Sequence, residues 1–206
     1  MAFFVKVQLR SLILPQTRSI MLDIFYNRRS TRKFLDKKIE ENKIKKLLTA
    51  ALLAPSSKGS RPWEFIIVDD PTLLAILAMS KPHGATLLKH APLAIIITGD
   101  KTKSDVWVED CSIASIFVQL EAEALGLGSC WVQINRRYYN DDITSNEYIH
   151  EHFNIPDELE VLSVVGIGYK AIERPPLSDC DILWKKVSKN QYQNQSDFTI
   201  PKECEE

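Results

Sequence analysis

Apolar residues follow two kinds of pattern along this chain, and the two kinds alternate. Ile44, Leu47, Leu48, Ala51 and Leu52 repeat at i, i+3, i+4, i+7 and i+8, which predicts a helix over about 41–54 that stops at Pro55. EFIIVDD (64–70) reads as a strand, after which Asp70 and Pro71 supply an N-cap and first helical turn for TLLAILAM. LAIIIT (93–98) is an unbroken apolar run of strand length, closed by Gly99-Asp100. DCSIASIFVQLEAEALG (110–126) reads as a helix that is apolar nearly all round. Such a helix has to be buried on more than one side, at the centre of the domain or in a subunit interface. SCWVQI (129–134) and VLSVVGIG (161–168) add two strands, and SNEYIHEHF (145–153) a short helix. From Arg174-Pro175-Pro176 onward the chain is polar and interrupted by proline, with one apolar island at Ile182-Leu183-Trp184. That tail is expected to wrap over a surface. Helices and strands alternate without internal repeats, so the class is mixed α and β.

The 206 residues suit one domain with a sizeable core. A formal net charge of -1 gives no global attraction to nucleic acid or to an acidic membrane, so any anion site must come from local clustering. The longest apolar strip, Leu93 to Ile97, falls far short of the ~20 residues that span a bilayer. Cys111, Cys130, Cys180 and Cys204 show neither C-x-x-C pairing nor regular spacing. A chain that builds its own core needs no disulfide framework, which points to a reducing compartment, the cytoplasm. Residues 1–20 carry Lys6, Arg10 and Arg18 but no acid, and read as a targeting leader or an extension. Pro15 would break an amphipathic helix there and favours the extension, with Met21 opening the domain proper. The expected organisation is 1–20 leader or extension, 21–190 domain, and 191–206 polar tail.

Several chemical motifs fail on context. Gly166-Ile167-Gly168-Tyr169-Lys170-Ala171 matches G-x-G-x-x-A, but Pro175-Pro176 arrive before a helix can open, so it is no dinucleotide turn. These glycines read instead as a strand end where backbone lies close to something flat or crowded. His150 and His152 at i and i+2 do not share a helix face, which argues against a metal. No G-x-S-x-G elbow is present, and Asp69-Asp70 and Asp141-Asp142 look like turn and cap residues. No protein nucleophile and no metal site is expected.

Two stretches survive. NRRSTRKF (27–34) places four cations within six positions and threads two hydroxyls between them, and is either a solvated charge run or a socket for an anion. APSSKGSRPW (54–63) is a loop rich in small hydroxyls and prolines. It is either a polar connector or a surface for the edge of a polar heterocycle.

Together with ALGLGSCW (124–131), VVGIGYKAIERPP (164–176) and the closing DILWKKV (181–187), these stretches resemble, in order, the FMN-dependent nitroreductase family. The resemblance implies an α+β fold with a mainly antiparallel sheet flanked by helices. It also implies an intertwined homodimer with FMN at the interface, which would give the all-apolar helix its second burial partner. By position, Arg28, Arg29, Ser30 and Arg32 would contact the flavin phosphate, ribityl chain and pyrimidine edge, and Pro55, Ser56 and Ser57 would approach the ring from the other subunit. The backbone at Gly128, Ser129 and Cys130 would lie near the reactive edge, and the Gly168-Tyr169-Lys170 turn near the phosphate. Lys33 would face water and Phe34 would anchor the segment in the core. Gly59 replaces a family amide, Arg61 adds a cation, and Lys170 stands where proline is frequent; extra charge at Arg61 and Lys170 is expected to favour anionic substrates or shift the flavin potential. The implied activity is ping-pong transfer from NAD(P)H through FMN to a nitroaromatic, quinone or enone. The alternatives are a dehalogenating or flavin-cleaving relative and a non-catalytic flavin sensor or store.

Overall fold

A computed structural model describes residues 19–194 and Cys204. Strands β1 (Trp63–Val68), β2 (Leu93–Asp100), β3 (Gly128–Gln133) and β4 (Leu159–Gly168) form one antiparallel sheet in the order β1-β2-β4-β3. Helices α1 (Ile20–Asn27), α2 (Glu41–Leu52), α3 (Pro71–Ala78), α4 (Trp107–Ala124) and α5 (Ser145–Phe153) complete the fold. Every strand and helix expected from the hydrophobic pattern is present, with ends that differ by up to three residues. Residues 1–18 of the expected leader or extension lie outside the described residues, as does most of 191–206.

The sheet is sandwiched between helices. On one face Ala94, Ile96, Cys130, Val132 and Val164 pack with α3 and α5; on the other Leu93, Ile95, Ile97, Val165 and Ile167 pack with α2 and α4. This is the period-two alternation of a strand buried on both sides, and β2 has no exposed residue. Local signals set the helix ends. Asp70 Oδ1 accepts from the Thr72 and Leu73 amides, and Thr144 and Glu147 close a capping box on α5.

Three findings depart from the sequence reading. Helix α1 is new: Ser19 caps it, but none of its residues is buried, so no apolar stripe announces it. Helix α4 buries Cys111, Ala114, Ser115, Val118 and Ala122 against the sheet, yet Ile116 on its outer side is 38% exposed and Ile113 and Phe117 are only half-buried. Within one chain α4 is buried on two sides, by the sheet and by Leu47 and Ala51 of α2, and its outer side stays open. The third departure is a disulfide joining Cys180 to Cys204. The argument from core size holds for the domain but not for the tail, where residues 171–181 are exposed and the segment has no apolar packing of its own.

The two remaining thiols are buried, and burial pushes Cys111 up to about 12. We therefore expect an alkylating agent at pH 8 to label two of the four cysteines after mild reduction, and all four only after unfolding. Mass spectrometry of the native, reduced protein counts them; labelling of Cys111 without denaturant would show that the core opens.

Gly168 illustrates the crowding expected at the end of β4. A Cβ there would lie 2.6 Å from Pro92 Cδ and 2.8 Å from a Phe34 ring carbon, so a side chain would force Phe34 outward. Phe34 is thereby held against the core, while Lys33 beside it is exposed.

Candidate functional site

The chain leaves α1 at Arg28 in extended conformation and runs as a seam along the open edge of β3. Ser30 pairs with Ser129 in a parallel bridge, with the Thr31 amide donating to the Ser129 carbonyl at 2.9 Å. Four residues later Phe34 pairs antiparallel with Lys170, and the Leu35 amide donates to Tyr169 O at 2.9 Å. The seam needs Gly128: a Cβ on it would meet Thr31 Cβ at 2.6 Å. The arginine cluster, the Gly128-Ser129-Cys130 strand and the Gly168-Tyr169-Lys170 turn thus converge on one edge of the sheet.

Beside the seam opens a cavity of about 360 Å³ lined by Arg29, Thr31, Arg32, Lys33, Lys170 and Arg174, with Asn27, Ile172 and Glu173 at its margin. Its cations are not equivalent. Arg29 Nη1 donates to Pro175 O at 2.9 Å, which commits part of that guanidinium to the tail. Lys170 Nζ lies 2.8 Å from the Glu123 carboxylate and 3.8 Å from Glu173, and both Lys170 and Glu123 side chains are largely buried. Among the described residues, neither the Arg28 nor the Arg32 guanidinium donates to a protein acceptor or pairs with a carboxylate within 4.0 Å. Two planar forks beside a cationic cavity, both without a protein acceptor, are what an oxyanion ligand requires.

The cation field continues along β3. Burial holds the Cys130 thiol above its ordinary value, while Arg32, Lys81, Arg28 and a hydrogen bond with Ser30 oppose that rise. Lys81, from the loop after α3, donates to Gln133 O at 2.9 Å at the far end of β3. Burial and the neighbouring Arg137 lower its affinity for a proton. The sequence reading missed Lys81 because a lysine in KPHGAT carries no local motif; its contact spans 52 positions. A second cavity, about 420 Å³, opens beyond Phe34, but Asp36, Asp69, Lys38 and Lys89 give its wall both signs of charge.

The loop 55–61 is built from Ser56, a 3-10 turn Ser57–Gly59, and an unusual run of left-handed residues: Lys58 (φ 54°), Gly59 (φ 67°) and Arg61 (φ 46°). Ser56 Oγ accepts from the Arg61 amide at 2.9 Å, and the Ser57 amide donates to Asp110 Oδ1 at 2.8 Å. Asp110, 2% exposed, also accepts from Ser104 Oγ at 3.1 Å. The sequence reading took Asp110 only as the start of a helix. Glycine suits its left-handed position better than the amide it replaces.

Within one chain this loop does not reach the arginine cluster. It precedes Trp63, which pairs with Gly99 on the β1 edge, whereas the seam joins Ser129, which pairs with Ile167 on the β3 edge. Three strand spacings, roughly 14 Å, and some 20 Å along the strands separate the two corners.

The model of the nitroreductase family matches residues 26–82 and 77–169. A solved structure of an FMN-dependent nitroreductase from Clostridium difficile superposes with a TM-score of 0.82 at 46% identity, covering 83% of this chain and 99% of that one. A provisionally named NADH dehydrogenase/NAD(P)H nitroreductase of Methanothermobacter thermautotrophicus is 38% identical over 162 residues, 77% of this chain and 81% of the relative. A Desulfovibrio desulfuricans protein provisionally named a nitroreductase and solved in complex with FMN shares the fold, with a TM-score of 0.70 at 22% identity over 85% of this chain and 99% of that one.

Proposed function

Because the chain belongs to the nitroreductase family, we propose that it is an NAD(P)H-dependent FMN oxidoreductase that reduces an electron-poor acceptor by a ping-pong mechanism. The observation that carries this reading is the pair of guanidiniums, Arg28 and Arg32, without protein acceptors beside a cationic cavity on the β3 edge. The residues fit FMN. Arg32, with Arg29 and Arg174 at the cavity wall, would hold the phosphate; Arg28 and Ser30 would meet the polar edge of the ring. Lys170, already neutralised by Glu123, would position the turn more than it adds charge. When bound, FMN supplies the two-electron chemistry, which is why no protein nucleophile or metal is needed. The chain's own part is to fix cations where the reduced ring is negative and to exclude water by the packed seam.

We infer a homodimer from the two separated corners. The loop with Pro55, Ser56 and Ser57 can complete a site on the β3 edge only if a second copy brings it there. The outer side of α4 (Ile116) and exposed Leu52 and Leu53 at the end of α2 give such a copy apolar surface to cover. The same reading places the enzyme in the cytoplasm, the compartment of its reductant, where the Cys180–Cys204 pair would be reduced. No helix among the described residues is long and apolar enough to cross a membrane.

The test is direct. The purified dimer is expected to be yellow, to release FMN on denaturation, and to oxidise NADH or NADPH steadily with a nitroaromatic, with parallel lines in double-reciprocal plots. A protein that stays colourless after incubation with FMN would overturn the proposal; flavin binding without turnover would leave a sensor or store.

A further inference from the structure

Resting on that reading, we infer that Lys81, Arg136 and Arg137 form a cationic lip at the Gln133 end of the site that selects substrates carrying an oxyanion, a carboxylate or a phosphate. The two loops that build the lip are tied together by the bond from Lys81 Nζ to Gln133 O at 2.9 Å. Past β3 the chain turns at once, with the Arg137 amide donating to Ile134 O at 3.0 Å. Arg136 occupies that turn at φ 57°, a left-handed conformation that glycine or asparagine adopts far more readily and that costs an arginine about 1 kcal/mol. Strain of this kind is retained where a side chain has to stand in one place.

No carboxylate among the described residues neutralises the lip: Lys81 and Arg137 donate to main-chain carbonyls, Gln133 O at 2.9 Å and Arg136 O at 3.4 Å, which leaves their charge in place. Among the described residues none of its three cations lies within 4.0 Å of a carboxylate, although Asp141 and Asp142 follow in the same connection. Lys81 is half-buried, and with Arg137 close by its ammonium is partly desolvated and repelled, a state that an incoming anion relieves. The cations at the opposite end of β3 are assigned to the cofactor: the cavity holding Arg29, Arg32 and Arg174 does not include Lys81. The lip therefore has charge left for whatever enters to exchange electrons. This removes Lys170, which Glu123 already neutralises, from the expected anion preference and adds Lys81, Arg136 and Arg137 beside Arg61.

The experiment compares charged and neutral partners of equal shape. Turnover is measured with 4-nitrobenzoate against 4-nitrobenzamide, and with NADPH against NADH. Benzoate and benzamide, which accept no electrons, are titrated into the FMN-loaded protein by calorimetry. The expected result is a preference for the charged member of at least one pair, lowered about fivefold by Lys81→Gln or Arg137→Gln and weakened by salt. Lys46→Gln, on the exposed side of α2, leaves it unchanged. Preference in the acceptor pair places the oxyanion on the acceptor; preference in the nucleotide pair places it on the 2′-phosphate. No preference in either pair, or one that both variants retain, overturns the lip. A protein that takes up no FMN fails the proposed FMN-dependent function instead, and benzoate titration of the apoprotein then reads the lip alone.

Discussion

Arg32→Ala is expected to weaken FMN binding about a hundredfold, the size of losing two charge-assisted hydrogen bonds that nothing nearby replaces. Two of its cationic neighbours in the cavity are already engaged and can replace it only in part. Arg29 is held by the Pro175 carbonyl and Lys170 by Glu123. Arg32 is also the residue that joins the cavity to the rest of the site, lining the one and acting on Cys130 in the other. Arg32→Lys keeps the charge but loses the planar fork, so an intermediate loss of about tenfold is expected. Fluorescence titration of free FMN gives both values. A dissociation constant within twofold of wild type for Arg32→Ala would remove Arg32 from the socket and leave Arg28 as the anchor.

The arginine segment shows how far a sequence carries such an argument. Cations interleaved with hydroxyls raised the possibility of an anion socket, because residue type sets that chemistry, but the same residues suit a solvated charge run. Which guanidinium is free was not legible, since Arg29 is committed by a carbonyl 146 positions away. Strands and most helices were legible because burial imposes a period, and β2, buried along its whole length, is the clearest of them. Helix α1 was not, because it buries nothing and so leaves no period to read. The tail disulfide escaped for a related reason: the inference from core size applies to residues that share the core, and Cys180 does not. Lys81 and Asp110 belong to neither motif nor period. Their importance comes from single contacts, to Gln133 O and the Ser57 amide, that only the folded sheet brings together.

Asp110 carries the largest expected effect on stability. It lies in the first turn of α4, 2% exposed, and accepts from the Ser57 amide and the Ser104 hydroxyl. Alanine there leaves two donors without partners, for an expected loss of about 3 kcal/mol, or roughly 6–12 °C in Tm for a chain of this size. Asp110→Asn keeps an oxygen for Ser57 and is expected to lose about half as much. The functional consequence follows from the loop's own strain. Lys58 and Arg61 both hold left-handed backbone, roughly 1 kcal/mol each, and with the Ser57 anchor gone that conformation has little else to keep it. Loop 55–61 should then relax, and with it the part of the site that, in the proposed homodimer, it would lend to the second copy. Asp110→Ala is therefore expected to bind FMN more weakly at a temperature well below its own Tm, while Arg32→Ala leaves Tm of the apoprotein unchanged. If Asp110→Ala lost stability yet bound FMN as wild type does, the loop would be a connector alone, and the case for a second chain would rest on the exposed outer side of α4.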